Sequence, residues 1–102
     1  MQEPTFHVLA AMLDGPLHGY GIIKRAHELS AGRVRLAAGT LYAALDRLRD
    51  AGLVEVDREE VVDGRARRSY RLTGAGRVVL RDEALRMAAA ARVVLDRSEA
   101  RA

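Results

Sequence analysis

Residues 39–55 read GTLYAALDRLRDAGLVE, a helix and its stop signal in one short stretch. Leu41, Leu45 and Leu48 recur at i, i+4 and i+7, so one face is apolar and seeks a core. Gly52 supplies the residue that enters the left-handed conformation at a helix C-terminus. The opposite face carries Gly39, Thr40, Ala43, Arg47 and Asp50, small or hydrogen-bonding groups around one cation. What that outward face rests against decides both fold and function.

Upstream, residues 4–14 open with Pro4, whose missing N–H costs nothing in a first helical turn. Phe6, Leu9, Ala10 and Leu13 make one apolar stripe and Val8 and Met12 a second, so this helix wants two neighbours. "DGP" at 14–16 ends it with turn chemistry. A second helix is expected from Leu17 or His18 to Ser30, burying Gly19, Ile22, Ala26 and Leu29. Gly19 and Gly21 each lower its intrinsic stability by about 1 kcal/mol relative to alanine, and Gly19 can admit a close neighbour. "SAGRVRLAAG" then links to the quoted stretch, with Val34 and Leu36 as anchors.

Downstream, Val54 and Val56 alternate with charges, as do Tyr70 and Leu72. "VDGR" at 62–65 holds the Asp-Gly pair of a tight hairpin. Two antiparallel strands follow, about 53–60 and 66–72. Their tip is lopsided: Glu59, Glu60 and Asp63 precede the turn, and Arg65, Arg67, Arg68 and Arg71 follow it. Cross-strand ion pairs and phosphate contacts both account for that pattern. Thr73 is a suitable N-cap for a long last helix. Leu80, Ala84, Met87, Ala88, Ala91, Val94 and Leu95 run down one side of it; Val78, Leu85, Ala89 and Val93 run down nearly the opposite side. A terminal helix apolar on both faces needs surface that its own small domain lacks, and a second copy is the simplest supplier.

The order is three helices, a two-stranded hairpin and a long helix. The fold expected is mainly α, in the α+β class: a winged helix-turn-helix over residues 1–73 with a C-terminal dimerisation helix over 74–102. In that arrangement the third helix faces the major groove and the hairpin wing lies along the backbone or minor groove. At 102 residues, 49% apolar and with one lysine, sixteen arginines and a net charge of +3, the chain fits one small ordered domain. Arginine reads phosphate and guanine well. A GC-rich genome, however, enriches arginine and alanine together, so composition alone assigns no nucleic-acid partner. The absence of cysteine excludes disulfides and thiolate chemistry. No apolar run approaches the roughly 18 residues of a membrane span, and a cytoplasmic protein is expected. His7, His18 and His27 are spread over two helices without a paired carboxylate at ligand spacing, so no metal and no cofactor are expected. Nor is there a Ser-His-Asp set or glycine-rich phosphate loop, which argues against an enzyme.

Three segments, GPLHGYGIIKRAHEL (15–29), GTLYAALDRLRDAGLVE (39–55) and RRSYRLTGAGRVVL (67–80), resemble the PadR family of transcriptional regulators in order and separation. The resemblance rests on HGY opening helix two, GTLY in the recognition helix and a Y-x-L-T-x-x-G step into the last helix. It implies a winged-helix dimer, joined by its C-terminal helices with help from helix one, in the short subgroup with a single such helix. It implies a repressor of double-stranded DNA at a palindromic operator. It also implies, for some members, release by phenolic acids, drugs or other small hydrophobic compounds. Three features depart from the family: Ala37 and Ala38 stand where Ser-Pro is common before GTLY, removing a side-chain cap worth about 1 kcal/mol, Ala43 stands where proline is common, and Gly21 stands where an acidic residue is common.

On these grounds Thr40 and Tyr42 are candidates for phosphate, with packing against the wing as the other reading of Tyr42. Arg47 is the candidate base reader, or else the ion-pair partner of Asp46 or Asp50. Gly39 and Ala43 permit close approach. Arg65, Arg67 and Arg68 are wing contacts, one of them expected to serve only as a cross-strand partner. Tyr20 and Lys24 are placed on the flanking backbone. The dimer interface is expected at Phe6, Leu9, Leu13, Leu80, Ala84, Leu85, Met87, Ala88, Ala91, Val94 and Leu95, with an effector cavity bounded by Phe6, Met12 and Met87. The rival reading is a winged-helix protein-interaction module without specific DNA binding, supported by the hairpin's acidic side and the small net charge.

Overall fold

The quoted stretch folds as its pattern requires. In a computed structural model describing residues 1–100, α3 spans Ala38–Asp50 and buries Leu41, Ala44, Leu45 and Leu48. It is preceded by α1 (Glu3–Ala11), β1 (Leu17–His18) and α2 (Gly19–Leu29), and followed by β2 (Val54–Val62), β3 (Arg65–Leu72) and α4 (Gly74–Ala100). The helix ends where Gly52 (φ +76°) takes the left-handed conformation. There the Gly52 N–H donates to the Arg49 carbonyl at 2.9 Å and the Leu53 N–H to the Leu48 carbonyl at 2.9 Å, the paired bonds of a Schellman motif.

That stop is stitched directly to the next helix. The Thr73 hydroxyl donates to the Gly52 carbonyl at 2.6 Å and accepts from the Gly76 N–H at 3.0 Å, so Thr73 caps α4 as expected. The Thr73 N–H donates to the Leu53 carbonyl at 3.1 Å. Gly76 sits so close to Leu53 that a Cβ there would stand 2.0 Å from that carbonyl oxygen. The end of α3, the start of β2 and the root of α4 are therefore one joint.

The core is built from Val8, Leu9, Met12, Ile22, Leu41, Leu45, Val54, Tyr70, Leu72 and Leu80, drawn from every major element. Helix α1 packs on both α2 and α4, the two neighbours that its two stripes demand. It is shorter than its pattern suggests, ending with Met12 as its C-cap. Leu29, expected inside, is exposed at the end of α2; Ser30 takes the buried position, its hydroxyl accepting from the Val34 N–H at 2.8 Å to brace the link to α3.

The sheet has three strands in the order β1-β3-β2, all antiparallel. Leu17 and His18, expected to begin a helix, instead pair with Tyr70 and Ser69 of β3. The hairpin turns through Asp63 (φ +52°) and Gly64 (φ +76°), the two successive left-handed residues of a type I′ turn. That turn pairs Val62 with Arg65, Val61 with Ala66, Glu60 with Arg67 and Glu59 with Arg68. A bulge at Asp57, between Val56 and Arg58, shifts the register nearer the core.

Candidate nucleic-acid interface

The outward side of α3 carries Gly39, Thr40, Tyr42, Ala43, Asp46, Arg47 and Asp50, all exposed. Nothing lies within 4 Å of a Cβ built on Gly39, so an approaching backbone meets no obstacle there. The helix begins at Ala37 in extended conformation with no side-chain cap. Its first N–H groups therefore face outward without a side-chain acceptor, the donor arrangement that favours anions. Arg47 does not pair with Asp46 or Asp50; among the described residues it forms no ion pair, and neither do Arg65 and Arg67.

Arg68 and Arg71 of β3 are engaged. Arg68 Nε lies 3.5 Å from Glu59, its partner across the hairpin. Arg71 reaches Glu55 at 2.8 Å and Asp57 at 3.3 Å. These carboxylates push both guanidinium pKa values up, Glu59 leading at Arg68 and Glu55 at Arg71. Arg68 is thus the wing cation expected to be a cross-strand partner.

Tyr42 packs against α2 rather than directly on the wing. Its hydroxyl packs over Gly19, where a Cβ would stand 2.6 Å away, so Gly19 at the start of α2 is the seat of this ring. Yet Tyr42 remains about half exposed and faces the wing across a hollow of about 290 Å³ lined by Glu59, Ala66, Arg68 and Tyr70. Tyr20, 76% exposed, and Lys24 share a shallow surface on α2 with His27, Arg35 and Leu36. Arg35 on this surface and the exposed Arg58, opposite Ser69 on the hairpin, had no sequence signal, since one sits in an irregular link and the other beside the bulge.

The residues proposed for self-association divide. Leu13, Ala84, Leu85, Met87, Ala88, Ala91, Val94 and Leu95 are exposed, and Phe6 is half-buried. Leu9 is fully buried in the domain's own core and lies beneath that surface, whereas Leu80, 5% exposed, belongs to the core and also lines the groove between α1 and α4. Of the three residues expected to bound an effector cavity, Phe6 is half-buried and Met87 is exposed. Met12 is fully buried in the core because its stripe of α1 turns inward. Phe6 instead lines a groove of about 360 Å³ between α1 and α4 with Ala10, Leu13, Leu80, Ala84, Arg77 and Arg81.

Among the described residues, no group of three His, Asp or Glu side chains that could hold a metal comes together. No helix there is long and apolar enough to cross a membrane.

A helix-turn-helix whose third helix is bare on one side, flanked by a β-hairpin and followed by a long helix, defines a winged-helix regulator. Residues 8–82 match the profile of the Transcriptional regulator PadR-like family, and the chain belongs to that family, one of transcriptional regulators and not of enzymes. It is 43% identical over 89 residues to Transcriptional regulator Rv3488 of Mycobacterium tuberculosis, covering 87% of this chain and 79% of that protein. Among solved structures, a PadR family transcription regulator of Clostridium difficile superimposes with a TM-score of 0.76 at 21% identity, covering 93% of this chain and 97% of the other. The Bacillus subtilis PadR structure in complex with operator DNA superimposes with a TM-score of 0.69 at 23% identity, covering 79% of this chain and 46% of that one.

Proposed function

We propose that this chain is a homodimeric, sequence-specific DNA-binding repressor of the cytoplasm. Residues 1–73 contact a palindromic operator, and residues 74–102 hold two copies together. The observation that carries the reading is the bare outer face of α3, where Arg47 stands free of its neighbouring carboxylates beside Gly39, Thr40 and Ala43. Arg47 reads a guanine edge in the major groove, and the unpaired Arg65 and Arg67 take phosphate or the minor groove. Thr40, Tyr42, Tyr20 and Lys24 hold backbone on either side.

Dimerisation is supported by the run of α4 beyond Leu80, where Ala84, Met87, Ala91, Val94 and Leu95 continue the line of the α1–α4 groove as exposed apolar surface. The interface proposed is this stripe, and Leu85, included in the sequence-based expectation, drops out because it lies with Val78 and Val93 on the opposite side of α4. Met87→Glu is therefore expected to give monomers in sedimentation, while Leu85→Glu stays dimeric. The same groove, apolar at Phe6, Leu13 and Leu80 and edged by Arg77 and Arg81, suits a small hydrophobic or phenolic effector. A thermal-shift screen with phenolic acids tests that, and a flat response counts against it.

Selection of bound fragments from random DNA is the direct test of the regulator. Half-sites about one helical turn apart are expected. Arg47→Ala should relax base choice by about 1–3 kcal/mol at one position. Arg67→Ala should weaken all sequences alike and reduce the salt slope by about one. Equal binding of selected and scrambled duplexes would sink this reading. It would favour a protein-interaction module, for which the hollow of about 530 Å³ bearing Asp46, Asp50 and Glu55 is the specific support.

A further inference from the structure

The hollow between α3 and the wing contains both the groups that attract a phosphate and one that repels it. Register places Glu59 and Arg68 directly opposite each other on β2 and β3, so their side chains leave the sheet on the same face. That face also bears Ala66 and Tyr70 and looks at Tyr42 of α3. A hydroxyl and a guanidinium converging on an open, solvent-filled space are suitable partners for a nucleic-acid phosphate. Glu59 already occupies the guanidinium, at 3.5 Å.

Resting on the DNA-binding reading above, we propose that Glu59 is a built-in competitor for a DNA phosphate: it engages Arg68 in this hollow until a backbone phosphate takes its place. Both members of the pair are about half exposed, and exposed pairs hold weakly, so Arg68 can change partners on contact with DNA. The carboxylate left behind stays within the hollow and repels the incoming anion. The net effect is a tax on every duplex, independent of base sequence, that lowers occupancy of non-specific DNA and leaves the reading by Arg47 untouched. Glu60 provides the internal comparison. It is one residue away and lies opposite Arg67 on the other face of the hairpin, and among the described residues it forms no ion pair.

The test is fluorescence anisotropy with a selected duplex and a three-turn duplex of mixed sequence, between about 50 and 200 mM salt. The proteins are the wild type, Glu59→Gln, Glu60→Gln, Arg68→Ala and the Glu59→Gln/Arg68→Ala double variant, each checked for an unchanged melting temperature. Glu59→Gln is expected to tighten both duplexes about three- to tenfold and to steepen the salt slope by up to about one, because no displaced carboxylate is left in the hollow to take up a cation in place of one released from the DNA. Its ratio of selected to mixed affinity should stay as in the wild type. In the Arg68→Ala background the gain should fall to that given by Glu60→Gln. Equal gains from Glu59→Gln and Glu60→Gln, or a gain undiminished without Arg68, would overturn the competitor role and reduce Glu59 to one of many surface charges. If wild type binds and Glu59→Gln changes nothing, this inference fails and the DNA reading stands. If neither protein binds either duplex at the lowest salt, both fail.

Discussion

Replacing Gly76 by alanine adds one methyl group at the joint between wing and α4. Its Cβ would stand 2.0 Å from the Leu53 carbonyl oxygen and 3.0 Å from the carbonyl carbon. Real Cβ contacts essentially never fall below 3.0 Å, so backbone must move by at least about 1 Å, and no side-chain rotation can relieve it. The same carbonyl accepts the Thr73 N–H at 3.1 Å, so its movement also strains the cap of α4. Overpacking of this kind costs about 1–3 kcal/mol, and the upper end applies because backbone is struck. A weakened hydrogen bond adds about 1 kcal/mol, and alanine's better helix propensity returns about the same. The net loss is about 3 kcal/mol, a large share of the roughly 5–15 kcal/mol that holds a domain folded. At about 4–8 °C per kcal/mol for a domain near this size, the melting temperature should fall by about 12–24 °C in a circular-dichroism melt. Gly74→Ala is the matched control, since nothing lies within 4 Å of its Cβ, and it should melt within a few degrees of wild type. A Gly76→Ala protein that melts with the wild type would refute the close approach and with it the rigid joint.

Gly19→Ala meets the tip of a side chain instead, the Tyr42 hydroxyl at 2.6 Å. It is expected to cost under about 1 kcal/mol of stability while displacing the ring and weakening DNA binding several-fold in anisotropy. Ala37→Ser supplies an N-cap oxygen at a residue already extended (φ −74°, ψ 152°); about 1 kcal/mol of stabilisation should appear as a higher melting temperature. Glu83 has its carboxyl held below the usual carboxylate range, first by its hydrogen bond from Arg86 and further by the Met1 amine at 3.8 Å. A depressed folded-state pKa stabilises above the unfolded value and is lost as pH falls through the folded one. The wild type should therefore outlast Glu83→Gln at neutral pH in melts, with the gap closing in acid below about pH 4.

The long elements were legible because their patterns are strong: the leucines of α3, the Asp-Gly turn and the Thr73 cap each carry a local physical cause. The Glu59–Arg68 pair was also implicit, since a two-residue turn at Asp63–Gly64 fixes the register outward from it. Arg71 with Glu55 and Asp57 was not, because the bulge at Asp57 leaves no mark in composition. Nor was β1: two residues have no periodicity, and Leu17 and His18 are strand only because Tyr70 and Ser69 lie beside them. Leu9 and Met12 illustrate another limit. A stripe reveals that a side chain will be covered but not by what, and here the answer is the chain's own core. The base-reading role proposed for Arg47 depends on a partner, and no pattern within the chain describes that.

Helix α4 is anchored at Leu80 and runs twenty residues further to Ala100, a shaft of about 30 Å at 1.5 Å per residue. Its direction is fixed at the stitched Thr73–Gly76 joint. A difference of about 10° in the angle at which it leaves the domain carries its far end through about 5 Å, close to one helical pitch. In the proposed dimer, the separation of the two α3 faces is thus set by an angle held at a few backbone hydrogen bonds rather than by anything in the groove. Tuning that dimer for a wider or narrower target belongs at the joint.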